Sequence, residues 1–349
     1  MPSHRVFRVS LGVFAATIAF AILGTLSLFI PPVRDFFLPY YETLVAMPTW
    51  TYMALLPVVS LALYWDQLGV RRSLLFLIAA SVLGASAELL GTNTGFPFGE
   101  YFYTDRLGAK IFGDVPYFIP TSWYALGILS YDLGGRLGRG RLARALWTAV
   151  FMIAWDVSLD PAMNQGGGTF VFWEYPGGGA FYGMPWVNWL GWAGTSVAIA
   201  FAFEALGGME PAGNRLTERW APVVYALNVF FPASICLLYG LPSAGVIGLE
   251  MGSVWRRLGA EVEVLPVRLL QLRLELLQPR RLVRRVAALL QVVVDQGVGL
   301  RHVLRVVPLV VLAQRGAVPA EPFLVVLRAA VHHRRVSDEF QLRQRFVAG

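Results

Sequence analysis

Long apolar runs, separated by short polar segments, recur along the chain up to Val254. The runs of membrane-spanning length cover residues 11–30, 49–65, 73–90, 117–131, 142–160, 185–206 and 220–239. About 20 consecutive apolar residues are enough for a helix to cross a bilayer. The pattern therefore predicts about seven transmembrane helices. The first run is interpreted as a retained helix, because it is long for a signal peptide and lacks a clear small-residue cleavage site.

Composition supports this interpretation. Of the 349 residues, 56% are hydrophobic and only 15% are charged, and the mean hydropathy is +0.57. An ordinary soluble domain is less apolar and carries more charge. The expected fold class is an all-α, polytopic membrane helical bundle in the cell (cytoplasmic) membrane.

The charge is unevenly distributed. Up to Val254 there are 13 basic and 15 acidic residues, whereas residues 255–349 contain 16 basic and 7 acidic residues. The net charge of +7 therefore comes from the tail, and the apolar body gives no reason to expect a nucleic-acid partner. We divide the chain into a transmembrane catalytic domain, residues 1–254, and a basic tail, residues 255–349.

The tail is rich in Leu, Val and Arg, and two interpretations are open. It could form basic amphipathic helices that lie on an anionic membrane surface. Alternatively, it could be the translation of a shifted reading frame and have no function. Tryptic peptides from the tail, found in the native protein by mass spectrometry, would exclude the second interpretation.

The positions of the arginines predict the orientation. Arginines concentrate before the first predicted helix and in every second connection after it, and cytoplasmic loops are the ones enriched in basic residues. The connections that cover residues 88–123 and 160–185 are poor in arginine and rich in aromatic and acidic residues. Both are therefore predicted on the extracytoplasmic side, where their motifs could form one site.

Asp156 and Asp160 are the most informative acidic residues. A charge at membrane depth costs about 2.5–3.5 kcal/mol, so an acid there indicates function. Their four-residue spacing places both on one face of a helix, which Pro161 is expected to end. Two carboxyl groups so close in an apolar environment repel each other when both ionise, so at least one could stay protonated. The alternative is a structural role, in which each aspartate pairs with an arginine or caps the helix end.

Several reaction classes lack their motifs. None of the four histidines lies in the apolar body, which argues against a histidine-ligated metal. The segment GGRLGRG at residues 134–140 does not match a dinucleotide-binding fingerprint. The Asp156 and Asp160 pair is compatible with a membrane prenyltransferase that uses magnesium diphosphate, although the second loop has no basic residue for the diphosphate. A non-enzymatic carrier of lipids or other lipid-soluble molecules is the other alternative.

The motifs together resemble the integral-membrane carotenoid hydratases, which include bacterial gamma-carotene/lycopene 1,2-hydratases and archaeal bisanhydrobacterioruberin hydratases. The resemblance covers roughly residues 11–249. It rests on the following residues: Glu88, Gly91, Thr92, Gly95, Phe96, Pro97, Phe98, Gly99, Tyr101, Tyr103, Val115, Pro116, Pro120, Trp123, Trp155, Asp156, Leu159, Asp160, Pro161, Trp173, Glu174, Tyr182, Gly183, Pro185, Asn188, Gly191 and Trp192. The chain departs from the family pattern at Met184, where valine is usual, and at Asp114, which is inserted before Val115.

The resemblance implies hydration of the terminal double bond of an acyclic carotenoid end group, which gives a tertiary alcohol without a metal or other cofactor. A neutral carboxylic acid could supply the proton, and aromatic faces could stabilise the carbocation by about 0.5–2 kcal/mol each. Asp156 or Asp160 is the expected proton donor, and Glu88 or Glu174 the group that orients water. The expected substrate-binding residues are Asn164, Asn188, Trp155, Trp173, Tyr182, Trp189, Trp192, Trp123 and Tyr101. The expected partners are an acyclic or monocyclic carotenoid, water, the lipid bilayer and other enzymes of carotenoid synthesis.

Overall fold

Helices account for most of the residues whose structure is described. The computed structural model describes residues 2–164 and 171–252. Within these ranges the helices are α1 (Pro2–Ser27), α2 (Pro31–Phe37), α3 (Tyr41–Thr94), α4 (Phe118–Leu137), α5 (Arg141–Asn164), α6 (Val187–Ala205), α7 (Arg215–Leu238) and α8 (Pro242–Gly252). The predictions for the tail, residues 255–349, lie outside the described residues.

The predicted helices occur where the apolar runs lie. The second and third runs fall in one long element, α3, which is interrupted at Gly69. The backbone of Gly69 has φ 71° and ψ 168°, a conformation that glycine adopts readily because it has no Cβ. Arg71 and Arg72 follow this break, so α3 consists of two helical segments that meet at the predicted polar connection.

Within residues 2–164 and 171–252, four segments are long and apolar enough to cross a membrane, namely Ser3–Ser27, Pro31–Thr94, Arg141–Asn164 and Arg215–Leu238. The segment Pro31–Thr94 contains two of the predicted spans. Helices α4 and α6 occupy two further predicted positions between these segments. The expected all-α membrane helical fold is therefore confirmed.

The chain divides into two compact units. Among the described residues, the first comprises residues 2–28, 35–164 and 171–252, and it contains the helix packing that positions the candidate site. Within it, α5 packs against α4, α6, α7 and α8, whereas α1 packs mainly against α3. Asp156 and Asp160 therefore lie on a helix that packs against four others.

The prediction that Pro161 ends the fifth helix is wrong. Helix α5 continues through Pro161 to Asn164. A proline inside a helix removes one backbone hydrogen bond and usually costs about 3 kcal/mol. Here the preceding residue, Asp160, is held in the helix by hydrogen bonds from three side chains, and these contacts override the local preference.

Short strands join the two loops that carry the motifs. Strand β1 (Phe102–Tyr103) pairs in an antiparallel direction with β4 (Trp173–Glu174), so that Tyr103 lies opposite Trp173. A second small sheet pairs β2 (Lys110–Ile111) with β3 (Val115–Pro116). The first pairing brings loop residues that are about 70 positions apart in sequence over the end of α5.

Candidate active site

Asn188 links the two aspartates of α5. Asp156 is fully buried and Asp160 is 2% exposed. The side-chain amide of Asn188 donates to Oδ2 of Asp156 at 3.0 Å and also to Oδ2 of Asp160. The same amide lies 3.1 Å from the sulfur of Met184. The four-residue spacing therefore does place both carboxyl groups on one face of α5, where α6 supplies their common donor.

Glu88 is the third buried acid, and it is 5% exposed. Its Oε2 accepts hydrogen bonds from the hydroxyls of Tyr101 and Tyr103, the latter at 2.9 Å. Its Oε1 accepts a hydrogen bond from Nε1 of Trp123 at 2.9 Å. All three groups donate hydrogen bonds to Glu88, which suits an ionised carboxylate because it can only accept them.

Each acid that faces the cavity is held by aromatic residues at alternate positions of a loop. Tyr101 and Tyr103 bind Glu88. In the other loop, Nε1 of Trp173 and the hydroxyl of Tyr175, the latter at 3.0 Å, donate to Asp160. Residues two apart in an extended segment point to the same side, so the pairing of β1 with β4 aims both aromatic pairs at the helices below.

The tyrosine hydroxyls act as donors because they hold their protons firmly. Burial raises the pKa of Tyr101 and Tyr103 well above its usual range, and the charge of Glu88 raises it further. Burial likewise raises the pKa of Tyr175, with Asp160 as the next cause. A phenol with a raised pKa stays neutral at physiological pH and continues to donate.

Three tryptophans from three helices meet beside the acids. Trp192 stacks on Trp123, with ring centroids 4.2 Å apart, and contacts Trp155 edge-on at 5.7 Å. The indole N–H groups of Trp123 and Trp155 are used elsewhere, on Glu88 and on the carbonyl of Asn228. Two of the three rings thus have their polar atom bonded to protein, and the cluster presents aromatic surface.

The acids and tryptophans line one cavity with a volume of about 250 Å³. Glu88, Asp160 and Asn188 form its polar end, and no Lys, Arg or His of the described chain is among its lining residues. Asp156 lies behind this wall, and its Oδ1 has no hydrogen-bond partner among the described residues. The absence of a basic lining residue is unfavourable for a diphosphate, which needs positive charge.

Acids elsewhere in the bundle behave differently. Asp132 forms an ion pair with Arg136 at 2.7 Å, and Glu204 lies 3.5 Å from Arg144. In the described part of the chain, by contrast, no ion pair involves Glu88, Asp156 or Asp160, so the arginine-paired structural role does not apply to them.

The structure brings together most of the predicted site residues, but four lie outside the cavity wall in addition to Asp156. Glu174 is exposed, as expected from its alternation with buried Trp173 in β4. The side chain of Asn164 makes no hydrogen bond to the described residues. Trp189 packs against Phe181, and Tyr182 hydrogen-bonds with Ser243.

No role was predicted from the sequence for Tyr103 or Tyr175, although each donates to a buried acid. The alternation of aromatic residues was the available signal, since Tyr101 with Tyr103 and Trp173 with Tyr175 are each two positions apart. Alternation predicts a shared face only if the segment is extended. That condition depends on the pairing of two distant loops.

Comparisons with known proteins identify the family to which this chain belongs. The sequence model of a family described as "Carotenoid biosynthesis protein" matches residues 48–255. A curated relative, the bisanhydrobacterioruberin hydratase of Haloarcula japonica, is 34% identical over 158 residues, which are 44% of this chain and 51% of the relative. The chain thus spans about half the length of that relative. No solved structure matches.

Proposed function

Since this chain belongs to the carotenoid biosynthesis protein family, we propose that it hydrates the terminal double bond of an acyclic (psi) carotenoid end group. The product would be a 1-hydroxy carotenoid with a tertiary alcohol. One observation carries the proposal: Glu88 and Asp160 line the same largely apolar cavity, with Asp156 beside them and no basic residue among the described residues of the wall. A hydrophobic substrate and a carboxylic acid can meet there.

Asp160 is the proposed proton donor. Its carboxyl group lines the cavity, whereas Asp156 lies behind it on the same helix face. Two buried carboxyl groups that share the Asn188 donor and have no cation beside them are best accommodated with one proton between them. Transfer of that proton to the less substituted carbon of the double bond leaves the pair with one more negative charge and places a positive charge on the tertiary carbon.

The tryptophan cluster would stabilise this carbocation. Trp123, Trp155 and Trp192 line the cavity beside the acids. An aromatic face attracts a nearby cation through its quadrupole, by about 0.5–2 kcal/mol for each ring. The rings also exclude water from all but the polar end of the cavity, which limits side reactions of the cation.

Glu88 is the proposed group that orients the water molecule. Held by Tyr101, Tyr103 and Trp123, its carboxylate is fixed in the cavity wall. Water adds its oxygen to the tertiary carbon and releases one proton to Glu88. Return of a proton from Glu88 to the aspartate pair, through water, restores the starting state, so the net reaction is the addition of one water molecule.

The relative's printed name indicates a bisanhydrobacterioruberin substrate for that protein. For this chain, lycopene and a monocyclic gamma-carotene are equally compatible with the proposal, since each has an acyclic end. We further propose a cell-membrane location with the joined loops on the extracytoplasmic side, where other enzymes of carotenoid synthesis would act on the same membrane-dissolved substrates.

Variants in a carotenoid-producing host test the assignment of the acids. Asp160→Asn and Asp156→Asn should each lower the hydroxylated product by about 100-fold or more, because general acid catalysis contributes 10²–10⁴-fold. Asp105→Asn is the control, since the side chain of Asp105 is 98% exposed in the same set of loops. Full hydration by both site variants would refute the assignment.

Isotope labelling separates a hydratase from a carrier. Purified protein is given an acyclic carotenoid in water enriched in heavy oxygen, and the product is analysed by mass spectrometry. Hydration incorporates one labelled oxygen atom for each end group that reacts. A carrier binds the carotenoid and returns it without the label.

A further inference from the structure

The cavity extends away from the acids into a cleft between two helices. Along α1 its lining residues begin at Thr17 and end at Ser27, and along the first half of α3 they begin at Tyr41 and end at Leu56. At a rise of about 1.5 Å per residue, the walls are about 15 Å long on α1 and about 22 Å long on α3. The cleft is therefore long, and the cavity that it belongs to also includes Glu88 and Asp160.

The wall of this cleft offers hydrocarbon surface even where its residues carry hydroxyls. Thr17, Thr25 and Thr49 donate to backbone carbonyls four residues earlier in their own helices, at 2.8–2.9 Å. The hydroxyl of Tyr52 donates to Oδ1 of Asn228 at 2.6 Å. These hydroxyl groups already donate to protein acceptors. A polar molecule in the cleft would therefore find few hydrogen-bond partners, whereas an apolar chain needs none.

The helices on either side of the cleft face the lipid. In α1 only 33% of the most apolar window is buried, and in the segment Pro31–Thr94 only 28%, compared with 61% in α5 and in α7. Phe20, which lines the cleft, is 42% exposed. In a membrane, the exposed apolar surface of such helices contacts acyl chains. The cleft therefore lies next to the hydrocarbon part of the bilayer, in which a carotenoid dissolves.

We propose that the cleft between α1 and the first half of α3 is a hydrocarbon channel, which admits an uncharged linear polyene from the bilayer and leads its end to Asp160 and Glu88. This inference rests on the proposed function and adds to it the path by which the substrate enters. The cavity volume of about 250 Å³ is smaller than the 300–1,000 Å³ of pockets that enclose a whole ligand. The channel therefore holds one end of the chain, and the remainder stays in the lipid.

Gly24 controls the width of the channel. It lines the cleft, and a Cβ placed on it would meet no protein atom within 4 Å. A larger side chain there would enter space that the substrate needs without displacing the protein. Gly12, on the same helix, would also leave an added Cβ in open space but does not line the cleft, so Gly12→Leu is a matched control for Gly24→Leu.

The hydration test uses two substrates, a full-length acyclic carotenoid and a short acyclic isoprenoid alkene that carries the same end group. Gly24→Leu should reduce hydration of the carotenoid by about tenfold or more, in line with the 10- to 200-fold effects of small changes in hydrophobic pockets. It should spare the short alkene, and Gly12→Leu should spare both. If Gly24→Leu hydrates the carotenoid at the wild-type rate, the channel proposal is wrong. It is also wrong if Gly24→Leu loses hydration activity equally on both substrates.

A binding measurement distinguishes failure of the channel from failure of the proposed function. Quenching of tryptophan fluorescence by the polyene reports binding even when no product forms. If the wild-type protein hydrates neither substrate, the hydratase proposal fails. In that case the channel proposal is still supported if Gly24→Leu weakens carotenoid binding about tenfold while Gly12→Leu does not. It is contradicted if the wild-type protein and both variants bind the carotenoid equally.

Discussion

Nε1 of Trp123 lies 2.9 Å from Oε1 of Glu88, and this hydrogen bond joins α4 to the far end of α3. Trp123 also stacks on Trp192 of α6. One indole ring therefore positions an acid with its edge and lines the cavity with its face. The contact explains how an acid at the end of one helix becomes part of a site centred on another.

The first prediction concerns Glu88. Glu88→Gln replaces one acceptor oxygen with an amide that donates, and this amide would face groups that are themselves donors. An unsatisfied buried partner costs about 1–3 kcal/mol, so we expect a loss of thermal stability of this size in detergent. Carotenoid hydration should fall by about 100-fold.

The control for this prediction is Glu100→Gln, since Glu100 is exposed in the same loop. It should retain both stability and activity. Hydration at the wild-type rate by Glu88→Gln, in protein with an unchanged melting temperature, would show that Glu88 does not orient the water molecule.

The second prediction concerns the donor that the two aspartates share. Asn188→Leu keeps most of the volume but removes the amide that bonds Asp156 and Asp160. Buried carboxyl groups that lose a donor should destabilise the protein by about 1–3 kcal/mol, and product formation should fall with the acid pair disturbed. Denaturation and chromatography of the products measure the two effects.

The exposed Asn93 serves for comparison, because it bonds Asp114 at the surface. Asn93→Leu should change the free energy of unfolding by no more than about 0.5 kcal/mol. Equal destabilisation by the two variants would mean that the link between Asp156 and Asp160 has no special importance.

The third prediction concerns alkaline pH. The pKa of Tyr103 is raised in the folded protein by burial and by Glu88, whereas an unfolded tyrosine ionises at about pH 10. The stabilisation is complete below about pH 10 and decreases as the pH rises further, because the unfolded chain then releases a proton that the native protein keeps. Tyr101 and Tyr175 act in the same direction.

Tyr103→Phe removes one of the three phenol groups whose pKa is raised in the folded protein. The decrease of unfolding free energy above about pH 10 should therefore become shallower by up to about 1.4 kcal/mol per pH unit. Chemical denaturation at a series of alkaline pH values measures this slope. A slope identical to that of the wild-type protein would contradict the assigned environment of Tyr103.

The fourth prediction concerns the close approach of α6 to the first loop. A Cβ placed on Gly191 would clash with the ring of Phe98 and lie 2.8 Å from the carbonyl oxygen of Pro97. Gly191→Ala should therefore displace the loop that carries Tyr101 and Tyr103. Overpacking of this kind typically costs about 1–3 kcal/mol, and hydration should decrease with it.

Gly194 provides the matched control on the same helix, since a Cβ there would meet no atom within 4 Å. Gly194→Ala should be neutral or slightly stabilising, because alanine favours a helix more than glycine does by about 1 kcal/mol. If the two variants had the same stability and activity, the packing of Phe98 on Gly191 would have no functional consequence.

The local sequence pattern was sufficient to predict the helices and one part of the site. Asp156 and Asp160 share a face because four residues make about one helical turn, and this relationship needs no other part of the chain. The prediction failed at Pro161, where three hydrogen bonds to Asp160 keep α5 helical beyond the expected end. There, the tendency of proline to end a helix is weaker than the tertiary contacts of Asp160.

By itself, the sequence determined that the chain is a helical membrane protein with acids at unusual places, because hydrophobic length and residue spacing are properties of consecutive residues. Only the tertiary structure decided which acids meet. Glu88 joins the site and Glu174 does not, because the pairing of Tyr103 with Trp173 turns alternate residues of each strand toward the helices and the others outward. That choice depends on contacts between positions about 70 residues apart, which no local pattern contains.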